Sequence, residues 1–134
     1  MRWRIAVRHA LCVVAIGFVI GLFEGAFPYG DPAGVFRTWA ASNVAFTLAV
    51  VILFFAVATQ SLTESLRQAF MTLGVYTLVS ILIGLVLSAW SAAPPLMMLI
   101  EWLLVVLAAL VGTVAGAWVR TVRSRRQATS VSRR

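Results

Sequence analysis

The stretch Leu96–Val119, LMMLIEWLLVVLAALVGTVAGAWV, is apolar almost throughout and carries one charged residue, Glu101. A run of this length and composition is typical of a transmembrane helix, because about 20 apolar residues span a hydrocarbon core of about 30 Å. The chain contains three further runs of the same character. They lie roughly at Ile5–Phe27, Thr38–Thr59 and Phe70–Trp90.

The overall composition agrees with an integral membrane protein. The chain has 134 residues, of which 62% are hydrophobic and 11% charged, and its mean hydropathy is +0.99. A soluble domain of this size needs more polar surface. We therefore predict an all-α fold, a transmembrane four-helix bundle over residues 1–119, followed by a disordered basic tail over residues 120–134. The helices are predicted at about 5–27, 38–59, 62–90 and 95–119.

Turn and cap signals set these helix boundaries. The segment Pro28–Gly34 is rich in turn formers, so we expect it to end the first helix and to delay the second until about residue 38. Ser61–Glu64 fits a capping box and predicts the start of the third helix. Ser91–Pro95 predicts a tight hairpin whose prolines lie in the first turn of the fourth helix.

The distribution of basic residues predicts the orientation. Every basic residue is an arginine, and a cytoplasmic amino terminus puts all of them except Arg37 on the inner side. This bias sets topology, so we expect both termini in the cytoplasm. Although Met1–Arg4 precedes an apolar run as in a signal peptide, the run is long and Glu24 falls near any cleavage point, so we expect an uncleaved first helix. The compact, arginine-only chain favours a multi-pass protein of the bacterial cytoplasmic (inner) membrane.

The tryptophans lie near the predicted ends of the spans. An indole is most favourable at the membrane interface, which makes an aromatic belt the simplest interpretation. Trp39, Trp90 and Trp102 belong to the outer interface in this scheme, and Trp3 and Trp118 to the inner one.

Glycines recur at helical spacing in two of the spans. Such spacing lets a neighbouring backbone come close, which stabilises helix pairs in lipid, where hydrophobic burial does not drive association. The partner helix can belong to the same chain or to a second copy, and the longer series in the first helix favours some self-association. The helix-packing candidates are Gly17, Gly21 and Gly25 in the first helix and Gly112 and Gly116 in the fourth.

Two glutamates, Glu24 and Glu101, lie on these small-residue faces at similar depths in the outer quarter of the membrane. Three hypotheses account for them. They form a structural clamp with Arg37, they are solvated among the headgroups, or they line an outward-facing cavity and bind a cation or share a proton. Weakly polar residues on the second and third helices are candidates for such a cavity. These are Asn43, Thr47, Tyr76, Thr77 and Ser80.

The basic tail gives the chain a pI near 11.6. Arginines beside a membrane are attracted to anionic headgroups, and a protein partner is an alternative. Nucleic-acid binding is not expected, because the positive-inside bias already accounts for most of these charges. The contact candidates are Arg120, Arg123, Arg125 and Arg126.

Enzymatic chemistry is not predicted. His9 and Cys12 supply two metal ligands where a closed zinc site needs four, and we expect no metal and no cofactor. No phosphate-binding glycine loop, nucleophile elbow or zinc-protease motif occurs, and no motif identifies a family. We expect a function in transport across the cytoplasmic membrane, as a homo-oligomeric carrier or pore of a small molecule or ion, or as a subunit of a larger membrane complex. The alternative is an accessory or assembly factor that binds another membrane protein through its glycine faces and basic tail.

Overall fold

The computed structural model describes residues 3–25, 31–60, 65–88 and 95–131. They form four helices, α1 (Trp3–Gly25), α2 (Pro32–Gln60), α3 (Ser65–Ser88) and α4 (Pro95–Val131). Each helix is long and apolar enough to cross a membrane. The all-helical architecture expected from the sequence is confirmed, and it indicates a multi-pass membrane protein.

Helix α2 begins earlier than the turn formers indicated, at Pro32 instead of near residue 38. The Asp31 carboxylate accepts a hydrogen bond of 3.1 Å from the Gly34 amide, and the Val35 amide donates to the Asp31 carbonyl at 3.2 Å. Asp31 is therefore the N-cap, and Pro32 occupies the first helical position, where its fixed φ is favourable. Asp31-Pro32 starts a helix instead of delaying one.

Helix α4 differs from prediction at its other end, because it continues to Val131 where we expected disorder after Val119. Arginine is a good helix former, and the tail extends a helix that is already nucleated. Hydroxyls in this extension bond back to the helix: Thr121 Oγ1 donates to the Ala117 carbonyl at 2.9 Å and Ser124 Oγ to the Thr121 carbonyl at 2.9 Å. The predicted capping box at Ser61–Glu64 lies outside the described residues.

The helices pack as a ring in which α1 contacts α2 and α3, and α4 contacts the same two helices. The most extensive interface joins α2 and α4. These two helices run in the same direction, because Gly112 lies against Val51 and Gly116 against Phe55. Among the described residues, α1 and α4 have no Cα atoms within 8 Å of each other, so they occupy opposite corners of the bundle.

The bundle has one central core to which all four helices contribute. Apart from Phe54 it consists of alanine and valine side chains, which suit close helix packing in lipid. Many other apolar side chains lie on the outside: Phe18 is 67% exposed, Val86 73% and Val114 62%. This surface fits a lipid environment. The core residues are Val13, Val50, Phe54, Ala69, Val105, Ala108 and Ala109.

Candidate functional site

The candidate site is centred on Glu101, which lies on α4 roughly 9 Å from the start of the helix at Pro95. Its side chain is half-buried. The indole Nε1 of Trp39 on α2 donates a hydrogen bond of 3.1 Å to Glu101 Oε1. The carboxylate is thus held in the α2–α4 interface by a neutral donor.

Trp102, the next residue on α4, faces a different helix, because successive residues are 100° apart around a helix. Its Nε1 donates to Thr77 Oγ1 on α3 at 3.0 Å, and the Thr77 hydroxyl donates in turn to the Leu73 carbonyl at 2.8 Å. Glu101 and Trp102 therefore bind α4 to its two neighbours, α2 and α3, through hydrogen bonds at the same depth.

Hydroxyl groups of α3 complete the surroundings of Glu101. The phenol of Tyr76 lies next to the Ser80 hydroxyl, one turn further along α3, and Tyr76 is close enough to Glu101 to experience the charge of its carboxylate. Of the predicted cavity candidates, Tyr76, Thr77 and Ser80 thus belong to the same polar region as Glu101.

The two α2 candidates are half-buried on the helix that carries Trp39. Asn43 Nδ2 donates to the Trp39 carbonyl at 2.9 Å, so its amide is bound to its own helix. Thr47 follows one turn later, on the same side of α2 as Asn43. Asn43 binds the backbone of Trp39, and Trp39 in turn binds Glu101, so Asn43 is connected to the carboxylate only through Trp39.

For Glu101, the structure replaces the expected clamp to Arg37 with the bond from Trp39. Arg37 is exposed, and its Nε donates to the Ala33 carbonyl at 3.3 Å. The physical reason is helical phase. Arg37 and Trp39 are two residues apart, about 200° around the helix, so Arg37 points away from α4 when Trp39 points toward it.

Glu24 is half-buried near the end of α1. Its helix and the helix of Glu101 are at opposite corners of the ring, without mutual contact among the described residues. Each carboxylate therefore belongs to a different part of the bundle, and their matching depth in the membrane stays a prediction. Whether either binds a substrate stays a prediction.

The predicted packing glycines fall into two groups. A Cβ atom at Gly112 would lie 2.5 Å from the Val51 carbonyl oxygen, and one at Gly116 would lie 2.6 Å from the Phe55 carbonyl oxygen. These two glycines thus let the α4 backbone contact α2. On α1, a Cβ at Gly17 would lie 3.3 Å from the Phe46 ring, whereas Gly21 has nothing within 4 Å. The surroundings of Gly25 lie outside the described part of the structure.

The opposite end of the bundle is rich in hydrogen-bond donors. Within the described ranges, three side-chain nitrogens are buried there without a hydrogen-bond partner, one each on α1, α3 and α4: His9 Nδ1, Gln68 Nε2 and Arg120 Nη1. Of the other predicted contact residues, Arg123 and Arg125 are exposed. The side chain of Arg126 lies outside the described part. This end of the molecule favours acceptors and anions.

The two tryptophans of the site were assigned only to an aromatic belt in our sequence analysis. The belt stays a prediction, and the structure adds a specific acceptor for each indole. An indole N–H that enters an apolar interface needs a hydrogen-bond partner. The sequence therefore indicated that each of these tryptophans needs a polar partner on another helix. The structure supplies Glu101 for Trp39 and Thr77 for Trp102.

No protein-family model matches the chain, and searches of curated proteins and of solved structures found no similar protein. The functional interpretation therefore depends on the geometry of the chain itself.

Proposed function

We propose that this protein acts in transport across the cytoplasmic membrane, as a small homo-oligomeric carrier or pore or as a membrane subunit of a larger transport complex. One observation carries the proposal: the half-buried Glu101 carboxylate is held in a helix interface by the neutral Trp39 indole, while Arg37 points elsewhere. A carboxylate inside a membrane costs up to about 3 kcal/mol unless it is compensated, and such residues commonly mark ion pathways. The substrate class that fits Glu101 is a proton or a small cation.

The surrounding hydroxyls suit this role. On α3, Tyr76 lies within range of the Glu101 charge and is hydrogen-bonded to Ser80. Their hydroxyl oxygens are ligands that can replace part of the hydration shell of a cation. Protonation would neutralise Glu101 and release a bound cation, which couples the two events at one carboxylate. We infer that α2, α3 and α4 form the substrate path and that α1 supports it from the far corner.

The arginine distribution supports the cellular setting of this proposal. With both termini in the cytoplasm, Arg37 is the one arginine on the outer side, as the positive-inside rule favours. Glu101 then lies in the outer part of the membrane, accessible from the side where an exported cation leaves. We place the protein in the bacterial inner membrane on this basis.

The test is flux through proteoliposomes that contain the purified full-length protein. An imposed potential or pH gradient should drive proton or monovalent-cation flux, detected with an encapsulated pH-sensitive or cation-sensitive dye. We expect Glu101→Gln to reduce this flux at least about tenfold, since one essential interaction is commonly worth 1.4 kcal/mol or more. Circular dichroism and gel filtration check that the variant is folded.

Asp31→Asn is the matched control for the flux measurement. It makes the same carboxylate-to-amide change at the N-cap of α2, and asparagine caps as well as aspartate does. The control should transport at the wild-type rate. If Glu101→Gln transports at the wild-type rate, this carboxylate does not couple transport. If vesicles with the wild-type protein show no more flux than protein-free vesicles, the protein is not a carrier that works alone.

A second candidate function has its own observation, the open face of α1. Gly112 and Gly116 already pack against α2, whereas Gly21 is exposed and a Cβ atom added there would meet no other part of the bundle within 4 Å. A close-packing surface of this kind suits a factor that binds another membrane protein. Such a factor should tolerate Glu101→Gln and lose its partner in Gly21→Leu, while Gly74→Leu, at another open glycine, should retain it.

A further inference from the structure

A shallow, wide-open cleft of about 570 Å³ lies along the exposed face of α1, at the amino-terminal end of the helix, and all the residues that line it belong to α1. Its wall includes Trp3, Arg4, Arg8, Leu11 and Cys12. All five side chains are exposed. The cleft therefore faces the surroundings of the bundle and not its core.

Helical phase explains why this side of α1 is open. Ala6, Ala10 and Val13 are at most 1% exposed and form the face of α1 that packs into the bundle. Arg4 and Arg8 lie two residues before Ala6 and Ala10, about 200° around the helix, so they point away from the other helices. The cleft and the residues that pack into the core thus lie on opposite faces of α1.

The length and polarity of the cleft match one leaflet of a bilayer. From Trp3 to Ala15 the cleft extends roughly 18 Å along α1, and half of a hydrocarbon core is about 15 Å. Its two arginines lie at the terminal end, and its apolar residues continue toward the middle of the span. This order corresponds to a headgroup followed by an acyl chain.

The charge of the cleft selects the headgroup. Arg4 and Arg8 are one helical turn apart, so both guanidinium groups can reach a single phosphate. Arginine binds phosphate through two parallel N–H donors. No acidic side chain of the described residues lines the cleft, so the two positive charges have no counterion within it.

We propose that the α1 cleft binds an anionic phospholipid, with the phosphate on Arg4 and Arg8 and an acyl chain along Leu11, Cys12 and Ala15. The bound lipid belongs to the leaflet at the amino-terminal end of the bundle. It fixes the tilt and depth of α1, the helix that, within the described ranges, has no Cα atom within 8 Å of α4. This site is independent of the Glu101 region and of any transport activity.

Cys12 provides a native reporter for this site, because it is the one cysteine of the chain and lies exposed in the cleft. The purified full-length protein in detergent micelles is titrated with phosphatidylglycerol or with phosphatidylcholine, and the rate of Cys12 alkylation by N-ethylmaleimide is measured. At roughly ten times its Kd, phosphatidylglycerol should slow alkylation about tenfold, because only the lipid-free fraction reacts. Phosphatidylcholine should have little effect.

Arginine variants make the test specific. In the double variant Arg4→Gln/Arg8→Gln, phosphatidylglycerol should no longer protect Cys12, whereas Arg37→Gln removes an exposed arginine from the other end of the bundle and should keep the protection. Each rate is compared with that of the same variant without lipid, which removes direct effects of arginine on thiol reactivity.

Three outcomes overturn the proposal. Equal protection by the two lipids would show that the cleft does not select charge, and full protection in the double variant would place the lipid elsewhere. Protection that depends on protein concentration and not on lipid would assign the cleft to a contact between two copies of the chain. Native mass spectrometry supplies a second measurement, since the wild type should retain one phosphatidylglycerol molecule that the double variant loses.

Discussion

At the scale of single residues, two adjacent positions on α4 organise the polar contacts of the membrane region. Glu101 accepts the bond from Trp39 on α2, and Trp102 donates to Thr77 on α3. In lipid no water competes for these groups, yet interhelical hydrogen bonds in membrane proteins stabilise by only about 0.6 to 2 kcal/mol each. Their larger effect is to fix the rotation of α4, because a different rotation would leave both polar pairs unsatisfied.

The bond between Trp39 and Glu101 can be measured by a double-mutant cycle. Trp39→Phe removes the donor and Glu101→Leu removes the acceptor. We expect the double variant to be about 1 kcal/mol more stable than the sum of the single effects predicts, since the second change breaks a bond that is already lost. The free energy of unfolding is obtained from titration with sodium dodecyl sulfate, followed by circular dichroism.

Trp118→Phe is the control for this cycle, because the Trp118 side chain is 69% exposed. Combined with Glu101→Leu, it should give additive changes. Additivity in the Trp39 cycle as well would mean that the indole and the carboxylate do not interact in the folded protein.

At the scale of helices, the glycines of α4 determine which pair packs most closely. Gly112 and Gly116 lie one turn apart and face the Val51 and Phe55 carbonyl oxygens of α2. A methyl group at either position would collide with backbone, which cannot rotate away as a side chain can. The absence of two Cβ atoms therefore permits the closest interface of the molecule.

Alanine at these glycines should separate α2 and α4. We expect Gly112→Ala and Gly116→Ala each to destabilise the protein by about 1 to 3 kcal/mol, the usual range for overpacking a close contact. Gly21→Ala and Gly74→Ala introduce the same methyl group where nothing lies within 4 Å, so they should be neutral or slightly stabilising. Unfolding in sodium dodecyl sulfate compares all four variants, and equal losses across the set would contradict the close α2–α4 contact.

The start of α2 and the end of α4 both carry local sequence signals. Asp31-Pro32 combines an N-cap residue with a proline at the first helical position, which is sufficient to predict the start of α2. The surrounding turn formers, in contrast, indicated a later start near residue 38. The extension of α4 also has a local signal, because no glycine or proline follows Val119 to stop the helix.

At the scale of the whole molecule, the ring order places α1 and α4 at opposite corners. As a result, the Glu101 region is built by α2, α3 and α4, while the outer face of α1 carries the arginine cleft. The molecule thus separates a carboxylate site near one end of the bundle from an arginine-rich, donor-rich region at the other end.

Cross-linking can test the ring order. In a Cys12→Ser background, Gly84→Cys on α3 and Met98→Cys on α4 should be joined efficiently by a short bifunctional maleimide, because a Cβ at Gly84 lies 4.0 Å from Met98 Cε. Phe23→Cys on α1 paired with Met98→Cys should give much less intramolecular product. Dilute protein limits links between copies, and equal yields from the two pairs would contradict the placement of α1 opposite α4.

The sequence by itself determined the four apolar helices, because length and hydrophobicity are local properties that need no knowledge of neighbouring helices. It did not determine the rotation of each helix. Lipid and the bundle core are both apolar, so hydrophobicity does not distinguish the inward face from the outward one. Only the tertiary structure decided that Trp39 and not Arg37 reaches Glu101, and that Gly112 and Gly116 are buried while Gly21 is open. These outcomes depend on the rotation of each helix about its axis and on which helices become neighbours. Both are set by packing across the whole bundle.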